Sequence, residues 1–331
     1  MILLAIESSC DETAAAVFER GVGLRSSVVF SQVDLHARFG GVVPELASRA
    51  HIEKIVPVVD QALVDAHVTL ADVEAVAVTH GPGLVGSLLV GCAYAKSLAF
   101  SLDVPLVGVN HIEAHLHSIF LEPDPPAYPY LALLVSGGNT ALYRVDGVGD
   151  YRFLGQTRDD AVGEAYDKVS KMLGFGYPGG ALIDRMAAKG DPARIAFPRA
   201  KVAGLDFSYS GLKTAIHRFI ESDERGAVSD EDLAASFQEA AVDPLVDKSL
   251  AAARAERLRR IVLVGGVAAN SRLRAKLAAA AARGGATSHV PALRYCTDNA
   301  AMIAYLGDRL LDQGRRDGWD LNVDPNLRIS G

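Results

Sequence analysis

Twice along this chain an apolar run breaks on a short polar turn and resumes, and later a second apolar run ends in glycines and opens into a helix. Residues 3–17 match residues 131–145 in this pattern, and residues 75–99 match residues 261–282. The likeness is one of pattern rather than residue identity, and it points to internal duplication of an α/β unit. The first pair of turns, Ser8-Ser9-Cys10-Asp11-Glu12-Thr13 and Ser136-Gly137-Gly138-Asn139-Thr140, reads as two hairpin tips. The second pair, Thr79-His80-Gly81-Pro82-Gly83 and Gly265-Gly266-Val267-Ala268-Ala269-Asn270, hands strands over to helices that begin near Val85 and Ser271. With 331 residues the chain exceeds one core's worth. The expectation is therefore two lobes, 1–127 and 128–331, joined across the proline-rich stretch 122–129. Tips and glycine loops would face an interlobe cleft, and the final helix would pack back across the first lobe. Further helices are expected over 45–63 with a kink at Pro57, over 160–173 and 230–257, and from a Thr297 cap to about Gln313.

Bulk properties narrow the function. Net charge is −7, so overall charge does not advertise a nucleic-acid binder, and any RNA contact needs a local basic face or a partner. Cys10, Cys92 and Cys296 lie far apart with no CxxC, which fits a reducing cytoplasm and disfavours a disulfide framework or a cysteine-based zinc site. Met1–Ile6 runs straight into Glu7 with no basic start, unlike a signal peptide. The apolar stretch 84–100 contains Lys96 and many small residues, and reads as a buried helix rather than a membrane span.

Ser136-Gly137-Gly138 offers backbone N–H groups without side-chain obstruction, and Gly265-Gly266 offers another anion site ahead of a helix. Either alone would serve only its turn; two on matching halves favour a nucleotide. Neither is a P-loop nor a GxGxxG fingerprint. Asn110, a good helix N-cap, precedes His111 and His115, whose i, i+4 spacing stacks two imidazoles about 5–6 Å apart at Cβ. Taken alone, this pair is either two ligands of one metal ion or a surface helix start that carries histidines. In zinc proteases a glutamate adjoins the first histidine. Here it is Glu113, about 200° round the helix from His111, so the protease reading fails on geometry. His117 falls off the pair's face and reads as surface. Acidic residues cluster near the loops: Asp11, Glu12, Asp159, Asp160, Glu164, Asp167, Asp184 and Asp298. Asp298, at a helix start, is of the type to complete a two-histidine site, while Glu164 and Asp167 read equally as a solvated helix face.

Assembled in order, these segments resemble the TsaD family of tRNA threonylcarbamoyladenosine synthesis. The resemblance rests on Ile6-Glu7-Ser8-Ser9-Cys10-Asp11-Glu12-Thr13, Gly40-Gly41-Val42-Val43-Pro44-Glu45-Leu46-Ala47-Ser48-Arg49, Gly81-Pro82-Gly83-Leu84, Asn110-His111-Ile112-Glu113-Ala114-His115 and Val135-Ser136-Gly137-Gly138-Asn139-Thr140. It continues through Asp206-Phe207-Ser208-Tyr209-Ser210-Gly211-Leu212-Lys213-Thr214, Gly265-Gly266-Val267-Ala268-Ala269-Asn270 and Cys296-Thr297-Asp298-Asn299. It implies a duplicated ribonuclease-H-like α/β fold of the actin, Hsp70 and sugar-kinase type. It further implies one divalent metal ion, iron foremost and zinc second, on His111, His115 and Asp298. The implied binding set for threonylcarbamoyl-AMP is Leu134, Val135, Ser136, Gly137, Gly138, Asp167, Gly180, Asp184 and Asn270.

The implied reaction is attack by an adenosine amine, beside the anticodon of ANN-reading tRNAs, on the carbamoyl carbonyl of that donor. The implied partners are TsaB and TsaE, with TsaC making the donor, and no membrane. Asp11 is our candidate for orienting or deprotonating the amine, against a plain turn-forming Asp. Arg199, Lys201, Lys213, Arg218 and the arginine-rich 254–276 region are candidates for tRNA contact, the last equally a solvated helix face. Asn139 stands where many bacterial members have histidine, Ala114 where glycine is frequent, and His80 where alanine is expected. The alternative reading is an actin- or sugar-kinase-type ATPase or phosphotransferase, which would not need the histidine pair.

Overall fold

The computed structural model describes residues 1–329. The strands are β1 (Ile2–Glu7), β2 (Glu12–Glu19), β3 (Gly23–Ser31), β4 (Ala75–Gly81), β5 (Leu106–Asn110), β6 (Tyr130–Val135), β7 (Thr140–Gly147), β8 (Asp150–Gln156), β9 (Arg260–Val264) and β10 (Thr287–His289). The helices are α1 (Val33–Ala37), α2 (Pro44–Ala66), α3 (Val85–Leu102), α4 (His111–His117), α5 (Val162–Met172), α6 (Gly179–Ala187), α7 (Ser210–Ile220), α8 (Asp230–Ala255), α9 (Ser271–Arg283) and α10 (Ala300–Asp312).

Two compact units result, one of residues Met1–Pro125 with Thr297–Gly331 and the other of Pro126–Cys296. Each holds a five-stranded sheet, in the order β3-β2-β1-β4-β5 and β8-β7-β6-β9-β10. In both, three antiparallel strands are followed by two parallel ones, the ribonuclease-H-like arrangement. The duplication is thus present strand for strand. Pattern reading found the central strands and missed the outer members β3, β8 and β10. Their polar, partly exposed residues lack the apolar run that marks the centre of each sheet.

In the first unit Leu4, Ile6, Val76 and Val78 pack against Ile55, Val59 and Ala62 of α2 and Ala95 and Ala99 of α3. By its length and composition α3 would pass for a membrane span. In the fold its small-residue face packs on β4 and α2. Strand alternation sends Leu3, Ala77 and Val107 to the other side of the sheet, where they meet α10. There Gly307 lies so close that a Cβ would stand 2.6 Å from the Cβ of Ala77. The cap of α10 is Asn299, whose side chain accepts from Met302 N at 3.0 Å, and not Thr297. The helix therefore starts later than its sequence suggested and leaves Thr297 and Asp298 in the approach to it. Beyond α10 the chain returns along β5 and the β4 loop: Asp317 N donates to Leu106 O, and Asp324 N to His80 O. His80 Nδ1 donates to Asn322 O at 3.4 Å, so this histidine packs the C-terminal segment onto the sheet.

In the second unit Leu131, Leu133 and Val135 pack against Tyr166 and Val169 of α5 and Phe237 and Leu245 of α8. Ser229 caps α8 by accepting from Asp232 N, and Asn270 caps α9 by accepting from Leu273 N.

The seat of Gly307 yields a stability test. Glycine-to-alanine in a helix ordinarily gains about 1 kcal/mol, whereas forcing a methyl into a filled contact costs about 1–3 kcal/mol. Gly307→Ala is expected to lower the urea unfolding midpoint; a raised midpoint would show that α10 is not tightly seated.

Candidate metal centre and nucleotide loops

β5 ends where Asn110 stops the strand and caps α4, its side-chain oxygen accepting from the N–H groups of Ile112 and Glu113. This turn places His111 and His115 on one buried face with ring centroids 4.6 Å apart. The approach to α10 brings in Asp298: its Oδ1 lies 3.0 Å from His115 Nε2 and 3.5 Å from His111 Nε2. One ligand atom from each residue falls within 4.8 Å of the others. Two imidazole nitrogens and a carboxylate oxygen are the donor set of a divalent transition metal. The His111–His115–Asp298 group expected from sequence is thus brought together within one unit.

Behind it stands a residue that sequence reading quoted in a motif and gave no role. Glu7, fully buried at the end of β1, accepts from His111 Nδ1 at 3.1 Å. Because a carboxylate accepts, this bond keeps the Nδ1 proton in place and turns Nε2 toward Asp298, the carboxylate–histidine arrangement of metal sites. Ser9 N and Thr79 Oγ1 hold the Glu7 carboxylate in turn. Burial disfavours charge on His111, yet the charges of Asp298 and Glu7 and their hydrogen bonds lift it well above the ordinary histidine range. Burial lowers His115 toward the neutral ligand form, against the pull of Asp298. Nearby, burial and the charges of Asp298 and Asp11 push Glu12 up to about 9. So rich a field of carboxylates resists further negative charge and favours a cation, and the residues fit a metal ion.

The β1–β2 tip is held from two sides. Leu84 N donates to Ser9 O, and a Cβ on Gly83 would stand 2.5 Å from that same oxygen, so the glycine is demanded by the approach. From α2, buried His51 donates from Nε2 to Cys10 O at 2.9 Å, and Thr13 Oγ1 sits 2.8 Å from its Nδ1. His51 lies in the stripe Ala47, His51, Ile55, Val58, Ala62. An imidazole on such a core face requires partners, and that was the signal available in the sequence. Asp11 sits buried at the tip, its backbone oxygen accepting from Gln32 N. His117 is not surface, as its spacing suggested: it is fully buried, donates to Glu113 O and stacks on Phe120, and burial pushes it down to about 4.

In the second unit Leu134 and Val135 are buried in β6, and Ser136 to Asn139 form the turn. Asn139 N donates to Ser136 Oγ, Ser136 N donates to Asn139 O and Asn139 Nδ2 reaches Ser136 Oγ at 3.4 Å, so both side chains and the Ser136 amide serve the turn itself. Gly137 and Gly138 are exposed, with open space where a Cβ would stand. Two glycines let other elements close on this turn: a Cβ on Gly163 would meet Ser136 O at 2.5 Å, and one on Gly265 would meet Val135 O at 2.4 Å. Asp167 Oδ1 accepts from Gly179 N at 2.7 Å, tying α5 to the start of α6, beside open Gly180. Asp184 accepts from Ser271 N and Oγ, tying α6 to the start of α9. The Asn270 side chain caps α9 and donates to Gln238 at 2.7 Å. The expected donor-binding residues therefore gather where β6 ends and α5, α6 and α9 begin, an address suited to anions. Asp159 and Asp160 belong elsewhere: they hold the start of α7 and pair with Lys168 and Lys213.

Comparison with known proteins identifies the family. The model of TsaD, tRNA N6-adenosine threonylcarbamoyltransferase, matches residues 23–305. A protein of that name from Anaeromyxobacter dehalogenans (strain 2CP-C) is 57% identical over 99% of both chains. Another from Syntrophotalea carbinolica is 54% identical over 98% of this chain and 96% of its own. Among solved structures, full-length HypF in its phosphate- and nucleotide-bound form superposes with a TM-score of 0.64 at 14% identity, over 94% of this chain and 46% of HypF. The activator of the 2-hydroxyisocaproyl-CoA dehydratase from Clostridium difficile with bound ADPNP gives 0.54 at 13% identity, over 95% and 97%. At such identities these two likenesses speak for the fold alone. With the family model matching residues 23–305 and near full-length relatives in agreement, the chain belongs to the TsaD family of tRNA N6-adenosine threonylcarbamoyltransferases.

Proposed function

We propose that the chain transfers the threonylcarbamoyl group of threonylcarbamoyl-AMP to N6 of the adenosine beside the anticodon of ANN-reading tRNAs. The observation that carries the reading is the convergence of His111, His115 and Asp298, with Glu7 braced behind His111. In the reaction the N6 nitrogen forms a bond to the carbamoyl carbon, the bond from that carbon to the phosphate oxygen breaks, and AMP departs with the electron pair. The amine loses a proton, and in this reading Asp11, whose tip is held by Gln32 and His51, orients the amine or takes that proton. Gly137 and Gly138 present the backbone that cradles the donor phosphate, while Asp167, Asp184 and Asn270 fix the helix starts around it. His111, His115 and Asp298 would hold a divalent ion, iron foremost and zinc second, and that ion would supply Lewis-acid polarisation.

The partner subunits TsaB and TsaE belong to the same reading. A docking surface is available on α2 and α3, where Ile52, Val56 and Leu89 stand exposed beside a groove of about 540 Å³. We place the activity in the cytoplasm, where a tRNA substrate and a reduced Cys10 beside the site are both accommodated.

Three outcomes follow. His111→Ala and His115→Ala should abolish stoichiometric metal by elemental analysis and, with it, transfer to tRNA; Glu7→Gln should retain the fold while weakening metal affinity about 10–100-fold. Unchanged metal in all three would remove the site. Asp11→Asn should cut kcat about 10²–10⁴-fold with metal content and tRNA KM intact, and full turnover would return Asp11 to a turn-forming role. Gly163→Val should raise the KM for threonylcarbamoyl-AMP without altering metal content, because its side chain pushes on the Ser136 turn; an unaltered KM would detach that turn from donor binding.

A further inference from the structure

The substrate of this family is a polyanion, yet the chain carries a net charge of −7. Several of the basic residues suggested for tRNA contact are already engaged. Arg199 pairs with Asp243, Lys213 with Asp160, Arg272 with Glu239, and Lys276 with both Glu239 and Asp243. One corner of the second unit differs. Where α8 turns into β9, Arg254, Arg257 and Arg259 line a depression of about 380 Å³ whose other wall is Gly284, Gly285 and Ala286 at the end of α9. Arg283 adjoins it, and all four arginines are exposed. Among the described residues none of the four forms an ion pair, and the carboxylate of the turn, Glu256, is taken by Arg144 and Arg152.

A backbone feature points the same way. Arg257 has φ +55°, the left-handed conformation in which α8 ends, where its N–H donates to Arg254 O and Leu258 N to Ala253 O. Glycine is the residue that fits this cap without strain. An arginine there sacrifices stability and adds a third guanidinium to the depression.

We infer that this corner is a phosphate-binding site for the tRNA backbone, remote from the reacting adenosine; the inference rests on the tRNA transferase reading above. Guanidinium groups bind phosphate through paired N–H donors. The glycine wall leaves room for a sugar-phosphate strand to enter. Strand β9 starts at the corner with Arg260 and ends beside Gly265, so the two sites lie roughly 17 Å apart along it at about 3.3 Å per residue. Contacts that far from the chemistry set tRNA affinity and orientation and carry no base specificity.

The test is steady-state transfer by the full-length chain, assembled with the proposed partner subunits TsaB and TsaE, across a salt series. The Arg254→Glu, Arg257→Glu, Arg259→Glu triple variant should raise the KM for tRNA about tenfold or more near 0.15 M salt. It should also flatten the plot of log KM against log salt by about two to three units, with kcat and the KM for threonylcarbamoyl-AMP held. Arg257→Gly should raise the tRNA KM several-fold while its urea midpoint stays level or rises, which separates binding from folding. A native tRNA KM and salt slope in the folded triple variant would overturn the inference, as would loss of partner association with direct tRNA binding unchanged. Absence of transfer by the unaltered assembly would instead count against the functional reading on which it rests.

Discussion

Glu7, fully buried, and Asp298, partly exposed, set two carboxylates against opposite nitrogens of one imidazole, and much of the first unit is arranged to make that possible. Burying a carboxylate is costly unless it is paired or hydrogen-bonded. Glu7 is accordingly held by Ser9 N and Thr79 Oγ1 as well as by His111. Asp298 has His115 and His111, which together pull it below the usual carboxylate range although burial works the other way. The tight glycine contacts serve the same end. Gly83 lets the β4 loop lie on Ser9, and Gly307 lets α10 lie on the sheet and deliver its preceding residues to the histidines.

The two units share a topology and divide the chemistry. At the same register position, between the first two antiparallel strands, one unit carries Cys10-Asp11-Glu12 and the other Gly137-Gly138. The first tip carries carboxylates; the second leaves open space at both glycines. Duplication supplied two hairpin tips of different length, one closing between Glu7 and Ala14 and the other between Val135 and Thr140, and their residues differ in charge.

The parts legible in sequence were those with a local signature: the central strands, the glycine turns, the i, i+4 histidines and the helices with strong periodicity. Asp298 was nameable only by resemblance, since nothing in spacing joins positions 183 apart to His115. Glu7 and His51 went unassigned because each looks like part of a strand end or a helix stripe until its partner, distant in sequence, is known. His117 was misread for the opposite reason. Helical spacing tells which residues share a face, but α4 is buried all round, so every face is an inside. The late start of α10 came from two competing caps, Thr297 and Asn299, of which the fold uses the second.

The first unit is discontinuous: its sheet comes from the start of the chain and α10 from its end, with the whole second unit encoded between them. A ribosome therefore finishes the second unit before it can finish the first. His111 and His115 wait through its synthesis without Asp298, and the three-residue group closes only once the segment carrying Asp298 has emerged. The grouping of His111, His115 and Asp298 is thus confined to chains translated past residue 298, and a product that stops short of it cannot assemble all three.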